Sequence, residues 1–148
     1  MGPEVDFEYP IEDTPTFTAQ QIRDAVPSPD GDRIAFTALN RVYVANADGS
    51  NPTRVAEMPD AQQHMPVWSP DGTWLAFVTW EGDAGHLYRV RASGGTPERL
   101  SRLPAFYTQP AWSPDGTRIV ALRGHARGFL ENPAGSYGWW VMGMLSGI

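Results

Sequence analysis

The sequence predicts an all-β protein of three β-propeller blades. Each blade is a four-stranded antiparallel sheet, and the three make half of a six-bladed ring that dimerisation completes. Three observations carry this expectation. The stretch Pro66-Val67-Trp68-Ser69-Pro70-Asp71-Gly72-Thr73-Trp74-Leu75-Ala76-Phe77 reads strand, tight turn, strand, and it occurs again around Ser28 and around Ser113. Ser28, Ser69 and Ser113 fall 41 and 44 residues apart, and an internal repeat of that period with several short strands per unit marks propeller blades. The third observation is a strand count. One strand stands before the first repeat, and the last repeat lacks its fourth, so the two together make one blade.

The turn residues have stated roles. Ser-Pro-Asp-Gly suits a type I turn, with Pro presetting φ and Gly taking the position that needs positive φ. The structural residues of the three turns are therefore Ser28, Asp30 and Gly31, then Ser69, Asp71 and Gly72, then Ser113, Asp115 and Gly116.

Taken in order, residues 4–10 alternate apolar and acidic positions, with Val5, Phe7 and Tyr9 on one side. They form an orphan strand outside the repeats. Residues 11–21 read as a connector, with a single helical turn over Thr18–Ile22 capped by Thr18. Blade 1 covers 22–57, with strands near 23–27, 33–38, 41–46 and 52–56. Leu39-Asn40 and Ala47-Asp48-Gly49-Ser50 supply its later turns. Blade 2 covers 62–102, with strands near 64–68, 74–80, 86–92 and 97–101. Blade 3 covers 107–143, with strands near 108–112, 118–123 and 137–142, a long insertion at 125–135, and no outer strand.

Composition excludes several classes. The chain has 148 residues, a formal charge of −6, no cysteine, and arginine but no lysine. There are thus no disulfides, no thiolate metal site, no Walker-type phosphate loop and no Schiff-base lysine. The acidic balance gives no basic patch for nucleic acid or an anionic membrane. No run of 18 apolar residues and no leader-like N-terminus is present, so the sequence reads as neither spanning a membrane nor carrying a secretion signal.

The pattern Pro-x-Trp-Ser-Pro-Asp-Gly-x-x-Leu/Ile-Ala-Phe resembles the repeat of TolB-like six-bladed propellers over about residues 20–125. Similar blades occur in dipeptidyl-peptidase-type enzymes and in bacterial propellers fused to a metal-dependent amidohydrolase barrel. The run Gln21-Ile22-Arg23-Asp24-Ala25-Val26-Pro27-Ser28-Pro29-Asp30-Gly31 is most similar to the last group. The resemblance implies the fold and leaves activity open; members are often periplasmic or secreted. The first repeat departs from the pattern, with Pro27 where the others have Trp68 and Trp112, which predicts looser inner packing there.

Candidate chemistry is sparse. Asp30, Asp71 and Asp115 occupy one repeated position, which points to a service each performs for its own blade, fastening the turn, rather than to a metal or acid–base cluster. Asn46–Asn51 hints at a calcium loop, but Val44 and Val55 stand where ligands belong, and a hairpin turn fits better. His64, His86 and His125 lack metal-ligand spacing; His64, at the start of an inner strand, is a candidate for a channel-facing position. No Gly-x-Ser-x-Gly elbow is present. Trp139-Trp140-Val141-Met142 reads as a buried third strand, with a partner-binding patch as the alternative.

These readings predict no catalytic, cofactor-binding or metal residues, and a non-catalytic module that offers a binding or scaffold surface. The alternative is the propeller portion of a larger metal-dependent amidohydrolase or peptidase, inactive in isolation. The predicted partner is a second copy, taken up by exchange of the strand Val5–Tyr9 and by packing of the apolar faces that end blades expose.

Overall fold

A computed structural model describes residues 8–11, 14–18, 21–58, 61–124, 140–141 and 145–146. It is all-β, with no helix among the described residues. Blade 1 is the antiparallel sheet β3 (Ile22–Pro27), β4 (Arg33–Ala38), β5 (Arg41–Asn46) and β6 (Thr53–Arg54), in that order. Blade 2 repeats it with β7 (Gln62–Trp68), β8 (Trp74–Trp80), β9 (Leu87–Arg91) and β10 (Glu98–Arg99). Blade 3 has β11 (Phe106–Trp112) and β12 (Arg118–Gly124). Two short strands, β13 (Trp140–Val141) and β14 (Leu145–Ser146), both pair with β12, at its two ends. Outer strands in blades 1 and 2 are only two residues long, which keeps exposed ladder groups few.

The sheets pack face to face. Ala35, Val42, Val44 and Val55 of blade 1 bury against Trp68, Leu75, Phe77 and Val90 of blade 2. Ala76, Val78 and Leu87 on the opposite face of blade 2 bury against Tyr107, Ile119 and Ala121 of blade 3. Period-two alternation produces this directly, because neighbours along one strand serve opposite blade interfaces.

Three expectations change. The strand expected over 4–10 is described from Glu8 onward, and it is not solitary: β1 (Glu8–Ile11) pairs with β2 (Thr14–Thr18) in a two-stranded antiparallel sheet. The connector and its helical turn give way to that strand, since Thr18 ends β2 and Ile22 begins β3; β-branched Thr14, Thr16 and Thr18 favour extended backbone. The apolar face of blade 1 that points away from blade 2 is not exposed: Phe36 and Tyr43 stack at 5.7 Å, and both are buried with Ala38 and Ala45. The insertion at 125–135, with His125, and Tyr137, Trp139 and Met142 lie outside the described residues.

Candidate functional site

The three repeated turns share one geometry. In each, the Ser Oγ donates to the Asp Oδ1 at 2.6 Å: Ser28 to Asp30, Ser69 to Asp71, Ser113 to Asp115. The same Oδ1 accepts the backbone N–H two residues on, at 3.0 Å in all three turns. The Ser Oγ in turn accepts the N–H of Arg33, Trp74 or Arg118 across the hairpin. Gly31, Gly72 and Gly116 hold φ of 77°, 74° and 73°, where a side chain is strained. Hydrogen bonds from Ser28 and then the Asp32 N–H lower the Asp30 pKa. Those from Ser69 and Thr73 lower that of Asp71, and those from Ser113 and Thr117 hold Asp115 at about 2. Hydroxyls and carboxylates so engaged close turns; none is poised as nucleophile or base. Asp48 behaves alike in its hairpin, accepting the Ser50 N–H and hydroxyl.

The inner strands carry a feature that the sequence reading did not anticipate. Asp24, Met65 and Gln109 each adopt positive φ, at 55°, 55° and 52°, and each stands four residues before its motif serine. Each is the extra residue of a β-bulge, because the ladder slips between Arg23 and Val26, between His64 and Val67, and between Thr108 and Ala111. A signal was present: Pro66 and Pro110 lie inside strand patterns, where proline marks an edge strand or a bulge; β7 and β11 are edge strands, and each ladder slips beside its proline.

The bulges turn side chains toward the neighbouring blade. The Met65 N–H donates to Asp24 Oδ2 at 3.1 Å, and the Gln109 N–H and Thr108 hydroxyl meet Met65 Sδ at 3.4 and 3.2 Å. Beside this row, Gln21, Arg23, Thr37, Leu39, Asn40 and His64 line a cavity of about 400 Å³. His64 is half-buried; burial lowers its pKa, Asp24 opposes that shift, and Arg23 adds to it. Leu39 and Asn40 form the two-residue β4–β5 turn with φ of 51° and 60°, and the Leu39 side chain is 58% exposed at the cavity rim. A bulky residue in that conformation is uncommon, at a cost of order 1 kcal/mol.

Two other polar groupings lie apart from this cavity. The His86 ring Nδ1 lies 2.8 Å from Ser101 Oγ, which also accepts the Leu87 N–H. Ser101 is only 2% exposed, so no substrate carbonyl reaches it, and the pair secures the start of β9. A second cavity, of about 600 Å³, lies between the turns of blades 2 and 3 beside Trp74, Arg89 and Trp112. Its Arg89 is already paired with Glu98 at 2.8 Å and stacked over Trp74. Among the described residues no three metal-ligating side chains cluster.

Residues 18–131 match the TolB beta propeller domain. This chain belongs to the TolB β-propeller family. Tricorn protease homolog 1 of Streptomyces coelicolor is 33% identical over 105 residues, 71% of this chain and 10% of that protein. The Tol-Pal system protein TolB of Coxiella burnetii is 41% identical over 63 residues, 41% of this chain and 14% of that protein. The crystal structure of TolB from Acinetobacter baumannii superposes with a TM-score of 0.64 at 16% identity, covering 91% of this chain and 34% of that one; it shares the fold. The chain thus spans about a seventh or less of the length of these two curated relatives. No helix of the described TolB-type blades is long and apolar enough to cross a membrane.

Proposed function

We propose that the chain is a non-catalytic segment of a TolB-type propeller, and that the cavity beside the inner-strand bulges, with His64 on its wall, is its binding surface. The observation that carries this reading is the row of bulges. Three inner strands spend backbone strain at the same position to aim side chains along the rim, and the cavity opens beside that row. Its wall offers one guanidinium (Arg23), one imidazole (His64), the primary amides of Gln21 and Asn40, and an exposed leucine. Its one formally charged wall residue is the Arg23 guanidinium, with the Asp24 carboxylate bonded to Thr37 beside it, and the guanidinium suits one carboxylate of a peptide segment that also carries an apolar side chain.

A test is the titration of the isotope-labelled chain with a short synthetic peptide of leucine and glutamate. Saturable shifts at the amides of Arg23, Asn40 and His64, weakened by Arg23→Gln, are expected; shifts scattered over the surface would overturn the assignment.

The second reading, a propeller portion of a larger hydrolase, is favoured by one observation: the chain matches a tenth of a protease homologue and so is comparable with one part of such a protein. Both readings expect no turnover of ester, amide or peptide substrates by this chain alone. Turnover abolished by His64→Ala or His86→Ala would overturn both. The homodimer expected from the sequence rests largely on residues outside those described.

A further inference from the structure

The two joints between blades differ at one repeated position. Arg33, Trp74 and Arg118 each stand five residues after the motif serine of their own blade. At the first joint, Arg33 reaches across to blade 2. Its guanidinium carbon lies 4.8 Å from the centre of the Trp68 ring, and its Nη2 donates to the Gly72 carbonyl at 2.9 Å. Trp68, Ser69 and Gly72 are all buried there. At the second joint, Trp74 holds the position of Arg33. Its ring lies against its own sheet, with the guanidinium of Arg89 at 4.2 Å and that of Arg91 at 4.6 Å.

The receiving groups of blade 3 nevertheless repeat those of blade 2. The Trp112 indole Nε1 donates to the Val67 carbonyl at 3.1 Å, as that of Trp68 donates to Val26 at 2.9 Å. Trp112 pairs with Ile119, which is buried against blade 2, so its ring belongs to this joint. Gly116 keeps the backbone of Gly72, with φ of 73° against 74°. Among the described residues, no guanidinium stacks on Trp112 or bonds the Gly116 carbonyl. Trp112, Ser113 and Gly116 are accordingly only half-buried where their counterparts are buried. A carbon added at Gly72 would meet Arg33 Nη2 at 3.4 Å and the Pro29 ring at 3.8 Å. At Gly116, among the described residues, only the Pro70 ring, at 3.7 Å, lies within 4 Å. The cavity of about 600 Å³ walled by Trp74, Trp112, Asp115 and Gly116 opens at this place.

We propose that this cavity binds a guanidinium, the arginine side chain of a peptide segment. The group sits on the Trp112 ring and donates to the Gly116 carbonyl, as Arg33 does to Trp68 and Gly72. The charges agree. Two exposed carboxylates, Asp71 and Asp115, line the cavity, and the bonds that close their turns fall on Oδ1. The one guanidinium on the wall, Arg89, is paired with Glu98, and Arg91 nearby is held over Trp74. An anion would meet the two carboxylates with no cation left to receive it. A planar guanidinium suits an indole face and a carbonyl better than an ammonium does, being less strongly hydrated and donating from a fixed fork. The site lies between blades 2 and 3, so it stands or falls independently of the cavity beside His64.

The experiment titrates the full isotope-labelled chain with the peptide acetyl-Gly-Arg-Gly-amide, and with the same peptide carrying citrulline or lysine instead. Citrulline keeps the shape of arginine and removes its charge. The arginine peptide is expected to shift the Trp112 indole and the Gly116 and Thr117 amides saturably. It should bind about fivefold or more tighter than either of the others. Trp74→Arg combined with Arg91→Asn gives the second joint the residues of the first, Arg33 and its cross-strand partner Asn46. The chain then fills its own cavity at high effective concentration, and the peptide should bind about tenfold or more weakly. The Trp68 indole should keep its parental shift. Equal binding of the arginine and citrulline peptides, shifts away from Trp112 and Gly116, or undiminished binding to a folded double variant would overturn the proposal. If the double variant does not fold, the three peptides on the parent chain decide by themselves. Trp112 shifts that grow with protein concentration and that the arginine peptide reverses would uphold the site and assign its guanidinium to a second copy.

Discussion

The backbone N–H of Met65 donates to the carboxylate of Asp24 at 3.1 Å, although the two residues are 41 positions apart. Both have positive φ, both are the extra residue of a bulge, and they occupy the same position in successive blades. The Thr37 hydroxyl meets the same carboxylate oxygen at 3.4 Å. The contact therefore ties the inner strands of two successive blades.

Removing that carboxylate tests the tie. Asp24→Ala leaves the Met65 N–H without its partner, but at an exposed position where water replaces part of the bond. The expected loss is about 1 kcal/mol, read from chemical denaturation. A larger effect is expected on hydrogen exchange at Met65, since the amide loses its acceptor directly. Unchanged exchange at Met65 would show that the tie does not persist in solution.

Two glycines separate conformational from steric strain. Gly72 sits at φ 74°, so Gly72→Val forces a β-branched residue into the left-handed region, costing roughly 1–3 kcal/mol. Gly85 has ordinary backbone geometry, but a side-chain carbon there would lie 1.8 Å from the Thr79 carbonyl oxygen. Gly85→Ala should therefore prise apart the β8–β9 hairpin and lower the melting temperature at least as much as Gly72→Val, despite adding one methyl. A melting temperature within error of the parent for Gly85→Ala would contradict the packing described.

Acid should destabilise the chain in two steps. His64 and His86 have folded-state pKa values lowered by burial beneath the ordinary 6.5, so the unfolded chain takes up protons first. Their contribution is complete above pH 6.5 and is lost as pH falls through the lowered values. Asp30, Asp48, Asp71 and Asp115 are lowered beneath 3.8, Asp115 to about 2, and contribute stability that disappears between pH 3.8 and about 2. Melting temperature against pH should thus fall twice. His64→Gln combined with His86→Gln should flatten the upper step and leave the lower one. A double variant with the parental slope between pH 7 and 5 would contradict the burial of the two rings.

Chelation should change nothing. The turn carboxylates are satisfied by serine hydroxyls and backbone N–H groups, which leaves a divalent ion little to add. The near-UV signal of the six tryptophans should be the same with and without a strong chelator. Its collapse would make the inner-strand Asp and His residues ligand candidates.

What the sequence determined by itself is whatever four or five adjacent residues can enforce. Ser-Pro-Asp-Gly closes its own turn through bonds spanning two to five positions, so all three turns and the strands flanking them were legible from the repeat. Alternation in Leu75-Ala76-Phe77 likewise settles that successive side chains serve opposite faces. The bulges were half legible, through Pro66 and Pro110, while Asp24 gives no comparable sign. What only the tertiary structure decided is every bond between blades. Trp68 meets Val26, Trp112 meets Val67, and Gln63 accepts the buried Val42 N–H, with partners 21 to 45 positions away. No local preference encodes such a partner, because the backbone group it meets, an accepting carbonyl or a donating N–H, is the same at every residue. Only the docking of one sheet on the next selects which of them faces the indole, and the cavity beside His64, walled by residues from both blades, exists for the same reason.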